Sequence, residues 1–430
     1  MIPMIQVIKD KVLLDIAGRR DRQKLYQGDP ELTERVRTII DDVARRGLPA
    51  LLSHIQAFDS PVIKVQNLWV TPQEIDAAHA ALAPESLMAL RLAIKFISEY
   101  HAKQVPQGWQ HDVLSGSLVG LRYQPLDRVG VYVPGGRAAY PSSVLMNVIP
   151  ARMAGVPEVV VATPAGKDGK VHPLVLAAAK EVGVTRVLKA GGAQAVAALA
   201  FGFEGFAPVD KVVGPGNAYV TEAKRQVYGV VAIDKLAGPT DLTIVADHSA
   251  RAPRVAAELI AQAEHDPDSE VFLITPYAPL VPAVLTEIMR QLKDLPRKEI
   301  VEKALGHSAF YEVASLAQAY DAVNALAPEH LVLMTERPKD AMFHIRHAGA
   351  IFLGHDSPVA LGDYMIGPNH VLPTMGTARY AGPLGVADFL KTSSFTQMSK
   401  EDLKMLANDV ALLARLEGLE GHARSLNIPG

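Results

Sequence analysis

The sequence predicts an α/β protein of two lobes, each a mostly parallel sheet covered on both faces by helices. Three observations predict it: the length, an alternation of short apolar runs with helical periods that begins at Val129, and glycine-rich joints between the two. At 430 residues and 46.2 kDa the chain is roughly two to three times the usual domain length of ~100 to 200 residues, so at least two hydrophobic cores are expected. Strands alternating with helices through short joints imply parallel pairing, because the crossover between parallel strands is a helix laid on the sheet.

From Glu31 to about Gln104 the pattern is helical: Val36, Ile39, Ile40 and Val43 recur at three- and four-residue steps, and Thr71-Pro-Gln-Glu74 reads as an N-cap with a capping-box glutamate. The alternating region then gives strand Val129 to Val133, helix Ser142 to Ala154, strand Glu158 to Ala162, helix Pro173 to Val182, strand Arg186 to Leu188 and helix Ala193 to Phe201. It continues with strand Lys211 to Val213, helix Ala218 to Tyr228, and apolar runs at Val230 to Ile233 and Leu242 to Ala246. A second series has helices Arg254 to His265, Leu280 to Leu292 and Leu316 to Leu326, with strands Val271 to Ile274, near Tyr311 to Val313, Leu331 to Met334 and Ala350 to Leu353. Gly354 to Pro383 is rich in Gly, Pro, Asn and Asp and is expected to be a long ordered loop over a site. Lys400 to Leu416 is an amphipathic helix.

Composition excludes several classes. Forty-three Lys plus Arg against 46 Asp plus Glu, with no basic block, make nucleic acid an unexpected partner. The run Val271 to Thr286 contains three prolines and falls short of the ~20 apolar residues of a membrane span. Lys9, Asp10, Lys11, Asp15, Arg19, Arg20 and Asp21 leave no apolar core for a signal peptide, so cytoplasmic residence is the expectation. With no cysteine, disulfides, thiolate metal sites and thiol nucleophiles are excluded.

Three joints follow strands and open helices: Tyr132-Val-Pro-Gly-Gly136, Gly191-Gly-Ala-Gln194 and Gly214-Pro-Gly-Asn217. Their backbone N–H groups and helix dipoles suit phosphate, though each is also an ordinary tight turn. Asp234 ends the strand after Gly214-Pro-Gly216, but Tyr219 stands where a dinucleotide fingerprint has its third glycine, so Asp234 is not taken as a ribose ligand. Gln262 and His265 lie three apart on one helix and can converge on a metal, or are a helix end with a capping histidine, while Asp363, His370 and His422 are too scattered in sequence to be assigned to a metal by spacing alone. Glu329 beside His330 at a helix-to-strand joint suits proton removal.

Taken in order, Val129-Gly-Val-Tyr-Val-Pro-Gly-Gly136, Pro141-Ser-Ser-Val-Leu-Met146, Gly191-Gly-Ala-Gln-Ala195, Val209-Asp-Lys-Val-Val-Gly-Pro-Gly-Asn217, Ala237-Gly-Pro-Thr240, Gln262-Ala-Glu-His265, Ala327-Pro-Glu-His-Leu331, and Gly362-Asp-Tyr364 followed by Pro368-Asn-His-Val-Leu-Pro-Thr374 resemble the histidinol dehydrogenase family. The resemblance runs from about Glu31 to His422. It implies two Rossmann-like lobes with parallel sheets of the aldehyde-dehydrogenase kind, plus terminal arms that embrace a second subunit. The implied division is an N-terminal arm at 1–25, a zinc and substrate lobe from 26–127 with 240–376, an NAD lobe at 128–239 and a C-terminal helical arm at 377–430.

The resemblance also implies a homodimeric, zinc-containing oxidoreductase of histidine biosynthesis that takes L-histidinol through L-histidinal to L-histidine with two NAD. Carried over by motif, the zinc ligands are Gln262, His265, Asp363 and His422, the last from across the dimer, and the acid–base pair is Glu329 and His330. Substrate contacts fall on Thr240, Gln262, His265, His330, Asp363, Glu417 and His422, and NAD contacts on Tyr132, Gln194 and Asn217. The chain departs from the family at Thr240-Asp241, where Ser-Glu is usual, and at Val359, where a Glu commonly follows the proline. These changes are expected to narrow the pocket and draw back a carboxylate. A sister branch oxidises a sulfonated propanediol; retention of Pro-Ser-Ser-Val-Leu-Met, Ala-Pro-Glu-His-Leu and Glu417 favours histidinol. A non-catalytic nucleotide-binding protein is the other alternative, and the intact Glu329, His330 and zinc positions argue against it.

Overall fold

Valine, isoleucine, leucine and alanine dominate the short runs from Val129 onward, and such residues fit strands buried on both faces of a sheet. In the computed structural model, which describes residues 5–21, 28–114, 116–135 and 139–426, these runs form two parallel sheets. Gly136 of the first glycine-rich joint lies outside the described residues, as do 1–4 and 22–25 of the expected N-terminal arm and 427–430 of the tail. In chain order the strands are β1 (Gln6–Ile8), β2 (Trp109–Leu114), β3 (Ser117–Pro125), β4 (Arg128–Tyr132), β5 (Glu158–Thr163), β6 (Arg186–Lys189), β7 (Lys211–Val213), β8 (Ala232–Ile233), β9 (Asp241–Ala246), β10 (Glu270–Thr275), β11 (Ala309–Glu312), β12 (His330–Met334), β13 (Ala350–Leu353) and β14 (Leu390–Gln397).

The first parallel sheet has the order β6-β5-β4-β7-β8 and the second β1-β11-β10-β9-β12-β13. Alternate residues of β4 and β5 face opposite cores: Tyr132, Val160 and Ala162 to one side, Val129, Val131, Val159 and Val161 to the other. In the second sheet β12 pairs with β9 and β13, bringing His330 level with Leu242 and Ala350.

The helices of residues 30–102 pack on the first sheet. Helices Pro30–Arg46 and Leu48–Phe58 bury Val36, Ile40, Val43, Leu51 and Ile55 against Val196 and Leu199, while Ile75, Ala93 and Ile97 join Val144 and Ile149 on the opposite face. The expected grouping of 26–127 with 240–376 therefore differs from how the apolar cores divide. A stripe at helical spacing states that one face is buried, not which sheet buries it. The predicted capping box holds: Thr71 Oγ1 accepts the Glu74 N–H at 3.2 Å and Glu74 Oε2 accepts the Thr71 N–H at 2.7 Å.

The described part of the expected N-terminal arm is built into the second lobe. β1 pairs with β11 in the same chain, and helix Val12–Arg19 packs Ile16 against Ala319 and Val323. The segment from 377 on is not wholly helical: β14 pairs antiparallel with β3, and β3 with β2, before helices Lys400–Leu416 and Glu420–Ser425. Among the described residues no helix is long and apolar enough to cross a membrane.

Candidate active site

Helix Leu316–Leu326 ends on Ala327, whose φ of 49° is left-handed, and the chain turns through Pro328 and Glu329 into β12, which begins at His330. The turn is clamped from the next strand: the N–H groups of Gly349 and Ala350 donate to Pro328 O and Glu329 O, both at 2.9 Å. A Cβ on Gly349 would sit 2.6 Å from Glu329 O, so only glycine permits this approach. The result is a buried carboxylate and a buried imidazole side by side, Glu329 Oε2 being 3.7 Å from His330 Nδ1.

Each is oriented by β9 and the residue before it. Glu329 Oε2 accepts the Thr240 hydroxyl at 2.5 Å and the Asp241 N–H at 3.1 Å. His330 Nδ1 donates to Asp241 O at 3.2 Å, because a carbonyl can only accept. That leaves His330 Nε2 buried without a hydrogen-bond partner, 3.6 Å from Asp363 Oδ1. Burial pushes the Glu329 carboxyl up to about 7. Burial opposes the His330 imidazolium, but Glu329 and Asp363 outweigh it and lift the ring to about 9. The two groups form a coupled pair between which a proton can pass as pH rises from neutral into the alkaline range.

Around this pair stand Gln262, His265 and Asp363. Gln262 Nε2 donates to Thr240 Oγ1 at 2.5 Å, which leaves the amide oxygen as its donor to a cation. Burial keeps the His265 imidazole below its usual pKa, hence neutral, and Asp363 is held ionised against its own burial by His330. A neutral imidazole, an ionised carboxylate and an amide oxygen are the protonation states a zinc ligand set needs, so these residues fit the metal. Among the described residues no three His, Cys, Asp or Glu side chains of the single chain converge on a metal position. His422 and Glu417 are exposed on the C-terminal helices, with Leu413 and Leu416 of the same segment also facing outward.

A cleft of about 1290 Å³ lies at the C-terminal edge of the first sheet, and Tyr132, Gln194 and Asn217 all line it. It exceeds the roughly 300 to 1,000 Å³ of small-ligand pockets and suits a dinucleotide. Tyr132 Oη accepts the Gly192 N–H at 3.1 Å, and Asn217 Oδ1 caps the next helix at Val220 N, 3.2 Å. Gly214, at φ 109°, passes so close to Tyr132 O that a Cβ would lie 2.1 Å away. Glu329 and His330 belong instead to the N-terminal edge of the second sheet, so the carboxylate–imidazole pair and the cleft sit on opposite kinds of sheet edge.

The sequence model of the histidinol dehydrogenase family matches residues 22–429. The chain belongs to the histidinol dehydrogenase family. It is 48% identical to a histidinol dehydrogenase of Geobacillus kaustophilus over 95% of this chain and 96% of the relative, and 46% identical to that of Bacillus subtilis over 94% and 95%. A crystal structure of histidinol dehydrogenase from Elizabethkingia anophelis superimposes with a TM-score of 0.93 at 33% identity, covering 98% of this chain and 97% of that one.

Within this member of the family, Thr240, Gln262, Asp363, Glu329 and His330 come together, whereas Glu417 and His422 do not join them inside one chain. Several expectations need correcting. His265 lies just beyond the helix, which ends at Ala263 with Glu264 as cap, and Asp363 sits on a short helix, Val359–Tyr364, within the expected loop. The Gly191-Gly192 joint lines the cleft, with Asp59 accepting the Gly191 N–H at 2.8 Å and Gln194 Nε2 at 3.1 Å. Asp241 does not reshape the pocket with its carboxylate, which is spent on the Glu329 N–H at 2.9 Å and on Arg20 at 3.1 Å. Val359 is buried, its N–H donating to Glu258 at 3.0 Å. The Asp234 side chain is buried against Lys224 and accepts the Gly214 N–H. Sequence reading missed Arg20 and Asp59, which carry no local signal, whereas His370, which it singled out, donates from Nδ1 to Asp363 O at 2.9 Å.

Proposed function

We propose that the protein oxidises L-histidinol through L-histidinal to L-histidine, using two NAD and zinc, as a homodimer. The observation that carries the reading is the buried Glu329–His330 pair whose free nitrogen, His330 Nε2, opens toward Asp363. Gln262, His265 and Asp363 hold the zinc, with His422 reaching in from the second subunit; Thr240, Gln262, His265, His330, Asp363, Glu417 and His422 surround the substrate. Support for the shared site comes from the outward placement of Glu417 and His422 and from the apolar residues beside them. Tyr132, Gln194 and Asn217 hold NAD in the cleft. Held by Gln262, His265, Asp363 and His422, zinc would supply Lewis acidity toward the substrate's nitrogen donors, and NAD in the cleft would supply the hydride acceptor.

His330 Nε2 takes the proton from the alcohol as hydride leaves its carbon, giving the aldehyde. No cysteine is present to form a thiohemiacetal, so water is the nucleophile of the second step. Glu329 accepts a proton from that water as it adds to the carbonyl while the His330 imidazolium returns its proton to the carbonyl oxygen, giving the gem-diol; His330, neutral again, then takes a hydroxyl proton of the gem-diol as the second hydride leaves, giving the acid. His330 acts as a base only when neutral, so turnover favours alkaline pH. The test is stoichiometry: purified protein should reduce two NAD per L-histidinol and release L-histidine. One NADH per alcohol, or a preference for a sulfonated propanediol, overturns the reading.

A further inference from the structure

We propose that Arg20 and Asp241 are positioning residues for Glu329, a proposal that rests on the acid–base role given to Glu329 above. Asp241 grips Glu329 from two sides. Its N–H donates to Glu329 Oε2 at 3.1 Å, aiming the carboxylate, and its Oδ1 accepts the Glu329 N–H at 2.9 Å, fixing the backbone from which that carboxylate projects.

The second oxygen of Asp241 accepts Arg20 Nη2 at 3.1 Å. Arg20 also donates from Nε to Leu326 O at 3.2 Å and from Nη1 to Glu270 Oε2 at 2.8 Å. Leu326 is the last residue of the helix that delivers Glu329, and Asp241 and Glu270 begin the adjacent strands β9 and β10. One planar guanidinium thus ties together the three points that enclose the Pro328–Glu329 turn, a geometry its fork of donors allows and an ammonium does not. The side chains of Arg20 and Asp241 are 12% and 2% exposed, and neither lines the cofactor cleft. A carboxylate buried at this depth needs such a partner, and here the pairing also fixes Glu329.

Proton abstraction is sensitive to displacements near 1 Å, which cost ~100-fold in rate. Loss of the clamp should therefore reproduce the signature of losing Glu329 itself, a defect in the aldehyde step. The experiment compares Asp241→Asn, Arg20→Gln and Glu329→Gln, singly and combined, in separate assays of histidinol and histidinal oxidation. Thermal melting confirms folding, and Arg20→Gln carries the test should Asp241→Asn fail to fold.

The expected result is a fall of about 10- to 100-fold in kcat for histidinal, KM within about threefold, a smaller effect on the alcohol step, and no further loss on combination with Glu329→Gln. Equal losses in both steps, a raised KM with intact kcat, or additive losses in the combined variants overturn the proposal while leaving Glu329 as base. Full activity of Glu329→Gln in both steps instead overturns the acid–base reading on which it rests.

Discussion

The hydroxyl of Thr240 donates to Glu329 Oε2 at 2.5 Å. Thr240 Oγ1 in turn accepts the Gln262 Nε2–H at 2.5 Å, so the hydroxyl links Gln262, the proposed zinc ligand, to Glu329, the proposed base. Valine matches threonine in shape but has no hydroxyl, leaving Gln262 without its acceptor and Glu329 without a donor. Thr240→Val should lower kcat by about 10- to 100-fold, while Thr240→Ser stays within several-fold of the parent. Steady-state kinetics decide it, and equal rates for the two variants remove the hydroxyl from the mechanism.

Glu329→Gln keeps size and hydrogen bonding but cannot accept a proton. With Glu329 given the water-activating role, oxidation of histidinal should slow by ~100-fold or more while oxidation of histidinol slows less. Rapid-mixing measurements of the two half-reactions separate these steps. Equal losses in both, or none in either, contradict a separate role for the carboxylate.

One zinc per chain is expected in active protein. Because its ligands come from distant segments on already folded elements, His265→Asn should lose the metal and the activity while the melting transition persists. Metal analysis by mass spectrometry alongside calorimetry checks both halves. Active wild-type protein free of any divalent ion, or a His265→Asn variant that no longer folds, counts against the ligand set.

Glu181 gives a pH-dependent contribution to stability far from the site. Arg91 binds it through two bonds of 2.9 Å and His79 through one of 2.6 Å, and the Arg91 guanidinium leads in holding its carboxyl down at about 2, below the model-peptide 4.5. Since the folded pKa is the lower, the unfolded chain binds the proton first, so the stabilisation is complete above pH 4.5 and fades as pH falls toward 2. Urea midpoints of the parent and of Glu181→Gln should differ at pH 7 and converge as pH drops through that window. A gap that stays constant with pH would show that the ion pair is not its source.

Much of the architecture was written locally. Strands such as Val129 to Val133 declare themselves because burial on both faces demands an unbroken apolar run, and Thr71 with Glu74 marks a helix start because both groups lie within one turn. The antiparallel sheet was illegible for the converse reason. Residues 109–113 of β2 are exposed, and β14 is polar and largely exposed, so neither carries the alternation that a buried face imposes. β1, with its first two residues exposed, hid in the same way.

At the site, the sequence by itself determined the chemistry available: a carboxylate beside an imidazole at Glu329 and His330, side chains able to ligate a metal at Gln262, His265 and Asp363, and no thiol. The tertiary structure alone decided how those groups work. Thr240 and Glu329 are 89 residues apart, and Arg20 and Asp241 221 apart, yet each pair shares a hydrogen bond. Such contacts leave no local period, because they arise from parallel strands being set edge to edge, and the register of β9 against β12 is fixed by burial along their whole length. The same register engages the Asp241 carboxylate with Arg20 and the Glu329 N–H, contacts that its place in the sequence did not suggest.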